Sequence, residues 1–284
     1  MLSDAASALR CPVCQDALDV ETRPRRALRC PAGHSFDAAK QGYFNLLTGK
    51  GTAFEADSAA MAAARHDFLS AGHYAALADA LAELAAPGLD RDGAVVLDSG
   101  TGTGNYLNAV LKRSPAASIG LDISKFALRR AARLNPGTVN IVWDVWRPLP
   151  LVSGSIDVVT VVFAPRNPPE FARVLRPGGR VIVVTPRPGH LAEVAGLAGM
   201  LRIEEGKDER LAGSMGGHFT MAVQEALDIP LQLGESEAAD LAFMGPAGHH
   251  LDRQELVASL AGTGTVETTA KFALTVFTTP PASS

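Results

Sequence analysis

Cysteine is scarce in this chain: three occur in 284 residues, at Cys11, Cys14 and Cys30, and none lies beyond position 30. An odd, clustered count argues against a disulfide framework and towards a metal. Long apolar runs are missing too. Nothing approaches the roughly 18 residues that a membrane helix needs, and the opening MLSDAASALRCPVC has no continuous apolar core to serve as a signal peptide. There is no excess of positive charge, with 26 Lys and Arg facing 30 Asp and Glu. That excludes a uniformly basic nucleic-acid coat but leaves room for a local basic patch. What is present is 47% hydrophobic and 20% charged, which suits a globular, cytoplasmic protein of one large domain or two and excludes wholesale disorder.

Charge is as uneven as cysteine. Residues 1–50 hold seven basic and five acidic side chains, a net of +2, so the remainder carries 19 and 25, a net of −6. Cys11-Pro-Val-Cys14 and Cys30-Pro-Ala-Gly-His34 form two knuckles separated by a loop containing Arg23, Arg25, Arg26 and Arg29. Two knuckles can complete a tetrahedral Cys3His shell of the kind structural zinc prefers, and thiolates with one imidazole disfavour magnesium or calcium. A segment this short buries too little apolar surface to fold alone, so metal would supply its folding energy. The arginine loop is read equally as a nucleic-acid contact and as a solvated hairpin tip.

The organisation expected is a zinc ribbon over 1–40, a connecting segment over 41–75 and a larger domain over 76–284. Asp57 or Ser58 caps an Ala-rich helix running through Met61, Arg65 and Phe68. Gly72 interrupts it, and a second helix over 75–86 is expected to end at Pro87-Gly88.

From residue 94 short apolar runs alternate with helical segments. AVVLD (94–98), ASIGLD (117–122), VNIVWD (139–144), IDVVTVVF (156–163) and RVIVVTP (180–186) predict buried parallel strands, with helices near 105–113, 124–134 and 168–175. This is the pattern of an open α/β, Rossmann-like sheet, whose ligands bind at the carboxyl ends of the strands. The first strand runs into Gly100-Thr-Gly102-Thr-Gly104, a GxGxG spacing rather than the GxGxxG of a dinucleotide site. The second strand ends in Asp122, able to accept from both ribose hydroxyls, and the third in Asp144, placed to meet an exocyclic adenine amine. A nucleoside site with no phosphate requirement fits S-adenosylmethionine. Late in the chain, 240–245 and 266–279 are expected as strands, 204–210 as an exposed linker and TPPASS as a frayed tail.

Asn167-Pro-Pro-Glu170 invites comparison with the Asn-Pro-Pro-aromatic motif of amino-group methyltransferases. Here Ala164-Pro165-Arg166 separates it from the preceding strand and Glu170 stands where the ring should be. A helix start is the better reading, with Asn167 as N-cap, Pro168 at N1 and Glu170 closing a capping box.

Together CPVC…CPAGHSFD, QGYFNLL, AARHDFLSAGHY, VLDSGTGTGNYL, GLDIS, FAPRNPPEFARVLRPGGRVIVVTPRPGHL and MGPAGHH resemble the zinc-containing 23S rRNA guanine-N1 methyltransferases. FAPRNP and MGP-x-x-HH are similar to their Gram-positive and actinobacterial branch, which includes tylosin- and mycinamicin-resistance methyltransferases. The resemblance implies a class I S-adenosylmethionine-dependent methyltransferase with an N-terminal zinc ribbon. Its cofactor contacts would include Tyr74, Gly102, Thr103, Leu121, Asp122 and His190. It also implies a homodimer whose ribbons help form an RNA cleft, and a target guanine in a 23S rRNA hairpin near the peptide exit tunnel, where a methyl group can confer macrolide resistance.

Departures accompany the likeness. Ser99 and Thr101 replace residues that are often apolar and Cys in related loops, and the acidic balance requires local patches for RNA, such as Lys125, Arg129, Arg130 and Arg133. Arg166 is the candidate to stabilise negative charge on guanine O6 as the N1 proton leaves; no residue is assigned as the base. Two other functions compete: a natural-product methyltransferase on the same scaffold, and a zinc-dependent RNA-binding factor without turnover.

Overall fold

The computed structural model describes residues 2–22, 26–49, 51–197 and 207–279. Helix α1 (Leu2–Ser7) precedes a three-stranded antiparallel ribbon of β1 (Asp19–Glu21), β2 (Ala27–Arg29) and β3 (Ser35–Asp37). The segment after it is not merely connecting: β4 (Phe44–Asn45) joins the main sheet. Helices α2 (Ala59–Ser70) and α3 (Ala75–Leu89) lead into β5 (Val95–Ser99), α4 (Asn105–Arg113), β6 (Ala117–Asp122), α5 (Lys125–Leu134), β7 (Val139–Val142) and β8 (Ile156–Val162). The chain continues through α6 (Pro168–Val174), β9 (Leu175–Pro186), α7 (Ala192–Leu197), α8 (Lys207–Met215), β10 (Thr220–Leu233), α9 (Glu235–Phe243), α10 (Arg253–Leu260) and β11 (Val266–Thr278).

Eight strands lie in the order β10-β11-β9-β8-β5-β6-β7-β4. The pairs from β4 to β9 are parallel, while β11 runs antiparallel to both β9 and β10. The order reverses at β5, whose neighbours are β6 and β8, so the loops after these strands open a crevice at their carboxyl ends. Strand side chains alternate between two cores. Val96, Val158, Ile182 and Val184 face Leu77, Leu81 and Phe272, whereas Leu97, Val159, Val181 and Val183 face Phe171, Val174 and Phe277. Leu18 and Leu28 of the ribbon and Leu9 after α1 belong to the second core with Ile119 and Ile141. The ribbon is therefore packed against the sheet domain.

Of the two candidate caps, Ser58 caps α2, its Oγ accepting from Met61 N at 3.1 Å, and Gly72 (φ +88°) follows the helix in a left-handed turn. Other expected elements differ in the structure. Helix α3 runs on through Pro87 to Leu89; proline's φ is helical, and one missing N–H in the last turn is tolerated where the helix packs closely. A Cβ at Gly88 would lie 2.5 Å from Val158 Cγ2, so the chain is pressed onto β8 at that point. Residues 240–243 lie in α9 rather than a late strand, because a short buried apolar run does not by itself distinguish helix from strand. The edge strand is instead β10, exposed over its first half and alternating Leu227, Ile229, Leu231 and Leu233 towards the core over its second. Of the expected linker 204–210, residues 207–210 open helix α8 and the rest lie outside the described residues, as does the tail beyond residue 279.

Asn167 begins α6 with Pro168 at N1, but no capping box forms. Its Nδ2 donates to Val145 O at 2.8 Å, and Glu170 accepts from Leu149 N at 2.5 Å and from Arg173. These side chains tie α6 to the turn after β7 instead.

Candidate cofactor cradle and metal centre

In the ribbon, each knuckle is folded by its own backbone. Cys11 N donates to Asp16 O and Gln15 N to Cys11 O, with Gln15 at φ +65°. Cys30 N donates to His34 O and Gly33 N to Cys30 O, with Gly33 at φ +89°. One ligand atom from each of Cys11, Cys14, Cys30 and His34 lies within 4.8 Å of all the others. Cys14 Sγ and Cys30 Sγ are 3.6 Å apart, and Cys30 Sγ and His34 Nδ1 are 3.3 Å apart. With zinc–sulfur bonds of about 2.3 Å, a tetrahedral edge is roughly 3.8 Å, so the donor set and its spacing fit zinc. All four positions are protein groups, which makes the centre structural. Of the arginine loop, Arg23 and Arg25 lie outside the described residues. Arg29 pairs with Glu21 at 3.1 Å, and the Arg26 guanidinium sits over the Phe44 ring at 5.3 Å.

At the sheet crevice, Gly100, Gly102 and Gly104 have φ of +81°, +54° and +83°. A Cβ at Gly100 would stand 2.3 Å from Ala164 Cβ, and one at Gly104 would lie 2.8 Å from Asn135 Nδ2. The turn is tied to the next strand by Gly100 N and Thr101 N, both donating to Leu121 O at 2.8 and 2.9 Å. Leu121 acts here through its carbonyl while its side chain is buried in the core. Asp122 Oδ2 accepts from Gly102 N at 2.8 Å and Oδ1 from Ser124 N at 2.7 Å. Burial pushes the Asp122 carboxyl upward and these two N–H groups oppose it. Thr103 Oγ1 donates to Asn105 Oδ1 at the start of α4.

Asp144 lies at the end of the neighbouring strand, accepting from Thr52 Oγ1 at 2.8 Å and Trp146 N at 3.0 Å. Tyr74 and His190 are brought together by one ring: Tyr74 meets Phe272 edge-on at 5.1 Å and His190 meets it at 4.9 Å. Burial lifts the Tyr74 hydroxyl well above its ordinary value. Lys271 N donates to His190 Nδ1 at 3.0 Å.

Arg166 stands in the turn after β8 whose Ala164 touches Gly100. Its guanidinium is lowered by burial, and it has no hydrogen-bond or ion-pair partner among the described residues.

Several groups here were not singled out from sequence. Asp98 is buried at the end of β5, accepts from Thr160 Oγ1 at 2.7 Å, and is raised by burial to about 6. Arg65 joins three elements, pairing with Asp57 at 2.5 Å and donating to Met244 O at 2.5 Å. Asn135 Nδ2 donates to Gly104 O at 2.9 Å, closing the glycine loop from α5. An Ala-rich helix with an arginine on it, or an Asn before a Pro, carries no sign of such partners. Buried polar atoms left without partners cluster on the same turn: Asp98 Oδ2, Ser99 Oγ and Thr101 Oγ1. A bare backbone cradle, two acidic strand ends and orphaned polar atoms fit a polar nucleoside ligand such as S-adenosylmethionine.

This sheet order, with β11 inserted antiparallel between β9 and β10 and a glycine turn after the strand at the switch point, defines a class I methyltransferase; the ribbon adds a zinc module. A methyltransferase-domain model matches residues 96–179, and the zinc-ribbon model described as RlmA, N-terminal, matches 9–50. The fold is similar to a chain in the complex between the Haloferax volcanii Trm112 methyltransferase activator and its methyltransferase (TM-score 0.51, 20% identity, 80% of this chain and 100% of that one). A Micromonospora griseorubida protein named as a 23S rRNA (guanine-N1)-methyltransferase is 47% identical over 276 residues, covering 92% of this chain and 93% of its own. The Streptomyces fradiae 23S rRNA (guanine(748)-N1)-methyltransferase is 44% identical, covering 92% of each. The chain belongs to this family of zinc-containing 23S rRNA (guanine-N1)-methyltransferases.

Proposed function

We propose that this protein transfers a methyl group from S-adenosylmethionine to N1 of a guanine in a 23S rRNA hairpin, acting as a cytoplasmic homodimer. The observation that carries the reading is coverage: likeness to two relatives bearing that activity in their names runs through more than nine-tenths of the chain, ribbon included. No described helix is long and apolar enough to cross a membrane.

Gly100, Gly102, Thr103 and Gly104 would accept the cofactor against bare backbone, Asp122 would take the ribose hydroxyls and Asp144 the adenine amine, with Leu121, Tyr74 and His190 completing the wall. Bound there, the sulfonium supplies an electrophilic methyl group. The remaining work is alignment of the guanine and loss of the N1 proton. As that proton leaves, negative charge spreads to O6, and the unpaired, half-buried Arg166 would be the cation that meets it. Cys11, Cys14, Cys30 and His34 would hold zinc and take no chemical step. A base inside a hairpin must also leave its stack before N1 is accessible.

The test is primer extension on a large-subunit rRNA hairpin. A methyl on N1 blocks the Watson–Crick edge, so a cofactor-dependent stop one nucleotide before a single guanine is expected, and macrolide sensitivity of cells expressing the protein should change with it. Methylation of a macrolide or other small molecule without any stop would favour the small-molecule reading. RNA binding without methyl transfer would favour the non-catalytic one.

A further inference from the structure

Every exposed aromatic side chain among the described residues lies at the carboxyl end of the sheet. Phe54 is 52% exposed, Trp146 51% and Phe163 47%, whereas the other described Phe, Tyr and Trp rings are buried or half-buried. Phe163 follows β8 directly, with φ +54°. Phe54 and Trp146 are different: they come from segments far apart in the chain, and their ring centroids are 6.4 Å apart.

The pair is built rather than incidental. Thr52 Oγ1 accepts from Phe54 N at 3.2 Å and donates to Asp144 Oδ2, while Asp144 Oδ1 accepts from Trp146 N. One carboxylate thus holds both ring-bearing turns. Arg147 fastens the same junction by donating to Gly51 O and Thr48 O. Two large apolar rings are therefore fixed facing solvent, with no apolar cover, beside the end of β7.

We propose that Phe54 and Trp146 form a stacking ledge for an unpaired RNA base flanking the target guanine. The inference rests on the RNA reading above. Two rings expose too little area for a protein partner, but one base fits a ledge of this size, since every base has a face that stacks on an aromatic ring. Arg147, next in sequence to Trp146, is the cation at the ledge for a flanking phosphate, while Glu55 beside Phe54 pairs with His249.

The experiment uses the full-length, zinc-loaded protein, a hairpin transcript and S-adenosylhomocysteine. Trp146→Leu and Phe54→Leu should each raise KM for the transcript by roughly tenfold and leave the Kd for S-adenosylhomocysteine unchanged; Trp146→Phe should restore most of the loss. Trp146 fluorescence should be quenched by a single-stranded RNA oligonucleotide, and that quench should vanish in Trp146→Phe although the buried Trp143 remains. Weakened S-adenosylhomocysteine binding at unchanged KM would assign the ledge to the cofactor's adenine and overturn the proposal, as would an unchanged KM alone. If the wild-type protein methylates no RNA, the functional reading fails first, and absence of quenching by the oligonucleotide then overturns the ledge separately.

Discussion

In the ribbon four side chains converge on one point; in the glycine loop side chains are withdrawn so that backbone can line the site. Cys11, Cys14, Cys30 and His34 bring donors within 4.8 Å of one another, an arrangement with little reason to persist without an ion. Gly100, Gly102 and Gly104 are instead held by the fold itself, through Leu121 O, Asp122 and Asn135. A metal module depends on its ligand and a cofactor cradle depends on its scaffold, so the two should fail differently. The two are nonetheless linked, since Leu18 and Leu28 share a core with Ile119 and Ile141 and loss of the ribbon strips cover from the sheet.

The largest effect is expected from Cys30→Ser. Zinc content should fall from one per chain to none, with loss of the ribbon's amide protection and of RNA methylation, because the metal supplies about 10 kcal/mol or more of folding energy in modules of this kind. S-adenosylhomocysteine should still bind, more weakly by less than about tenfold if the cradle is scaffold-held. Metal analysis with calorimetry reads both, and a variant retaining one zinc would remove Cys30 from the ligand set.

Next comes Gly100→Ala. The added methyl meets Ala164 at 2.3 Å and the residue must keep φ +81°, so a cost of about 1–3 kcal/mol is expected from backbone strain alone. Cofactor affinity should fall while zinc content stays at one per chain. Equal loss of both would mean that ribbon and cradle are one cooperative unit.

Asp122→Ala should be milder in stability and specific in binding. It removes acceptors for Gly102 N and Ser124 N as well as for the ribose, interactions to a charged group worth about 1.5–3 kcal/mol. Calorimetry showing unchanged affinity would place the nucleoside elsewhere.

The last effect is confined to a pH window. Burial raises Asp98 from 3.8 to about 6, so the native state holds that proton longer than the unfolded chain. The protonated form's contribution is full below 3.8 and is lost as pH rises through about 6. Stability should therefore fall across that window, by at most about 1.4 kcal/mol per pH unit for one proton. Asp98→Asn should flatten the fall relative to wild type in thermal melts, and parallel curves would dismiss Asp98 as its source.

Much of this was legible from the order of residues. Cys-x-x-Cys with Cys-x-x-x-His specifies local knuckles because each is closed by a few adjacent peptides, and the five apolar runs specify strands because burial on both faces demands continuous Val, Ile and Leu. The glycine spacing and the acidic strand ends are equally local. What sequence could not fix was pairing at a distance. The first half of β10 is exposed and is held as a strand by its pairing with β11, while the alternation Leu227, Ile229, Leu231, Leu233 in its second half is a strand signal legible in the sequence. The apolar run at 240–243 became helix because Glu237 accepts from Gly234 N and the surrounding core accommodates it on all sides. Asn167 and Glu170 left their expected cap for partners at Val145 and Leu149 in the turn after β7. Arg65 reached Asp57 and Met244, and Thr52 reached Asp144. The sequence by itself determined the metal ligands, the parallel strands and the bare turn, since each is set by neighbours within a few residues. Tertiary structure decided the exposed half of the edge strand, the polar ties around the cradle and the ledge of Phe54 and Trp146, because those depend on which distant groups packing brings within hydrogen-bonding or stacking distance.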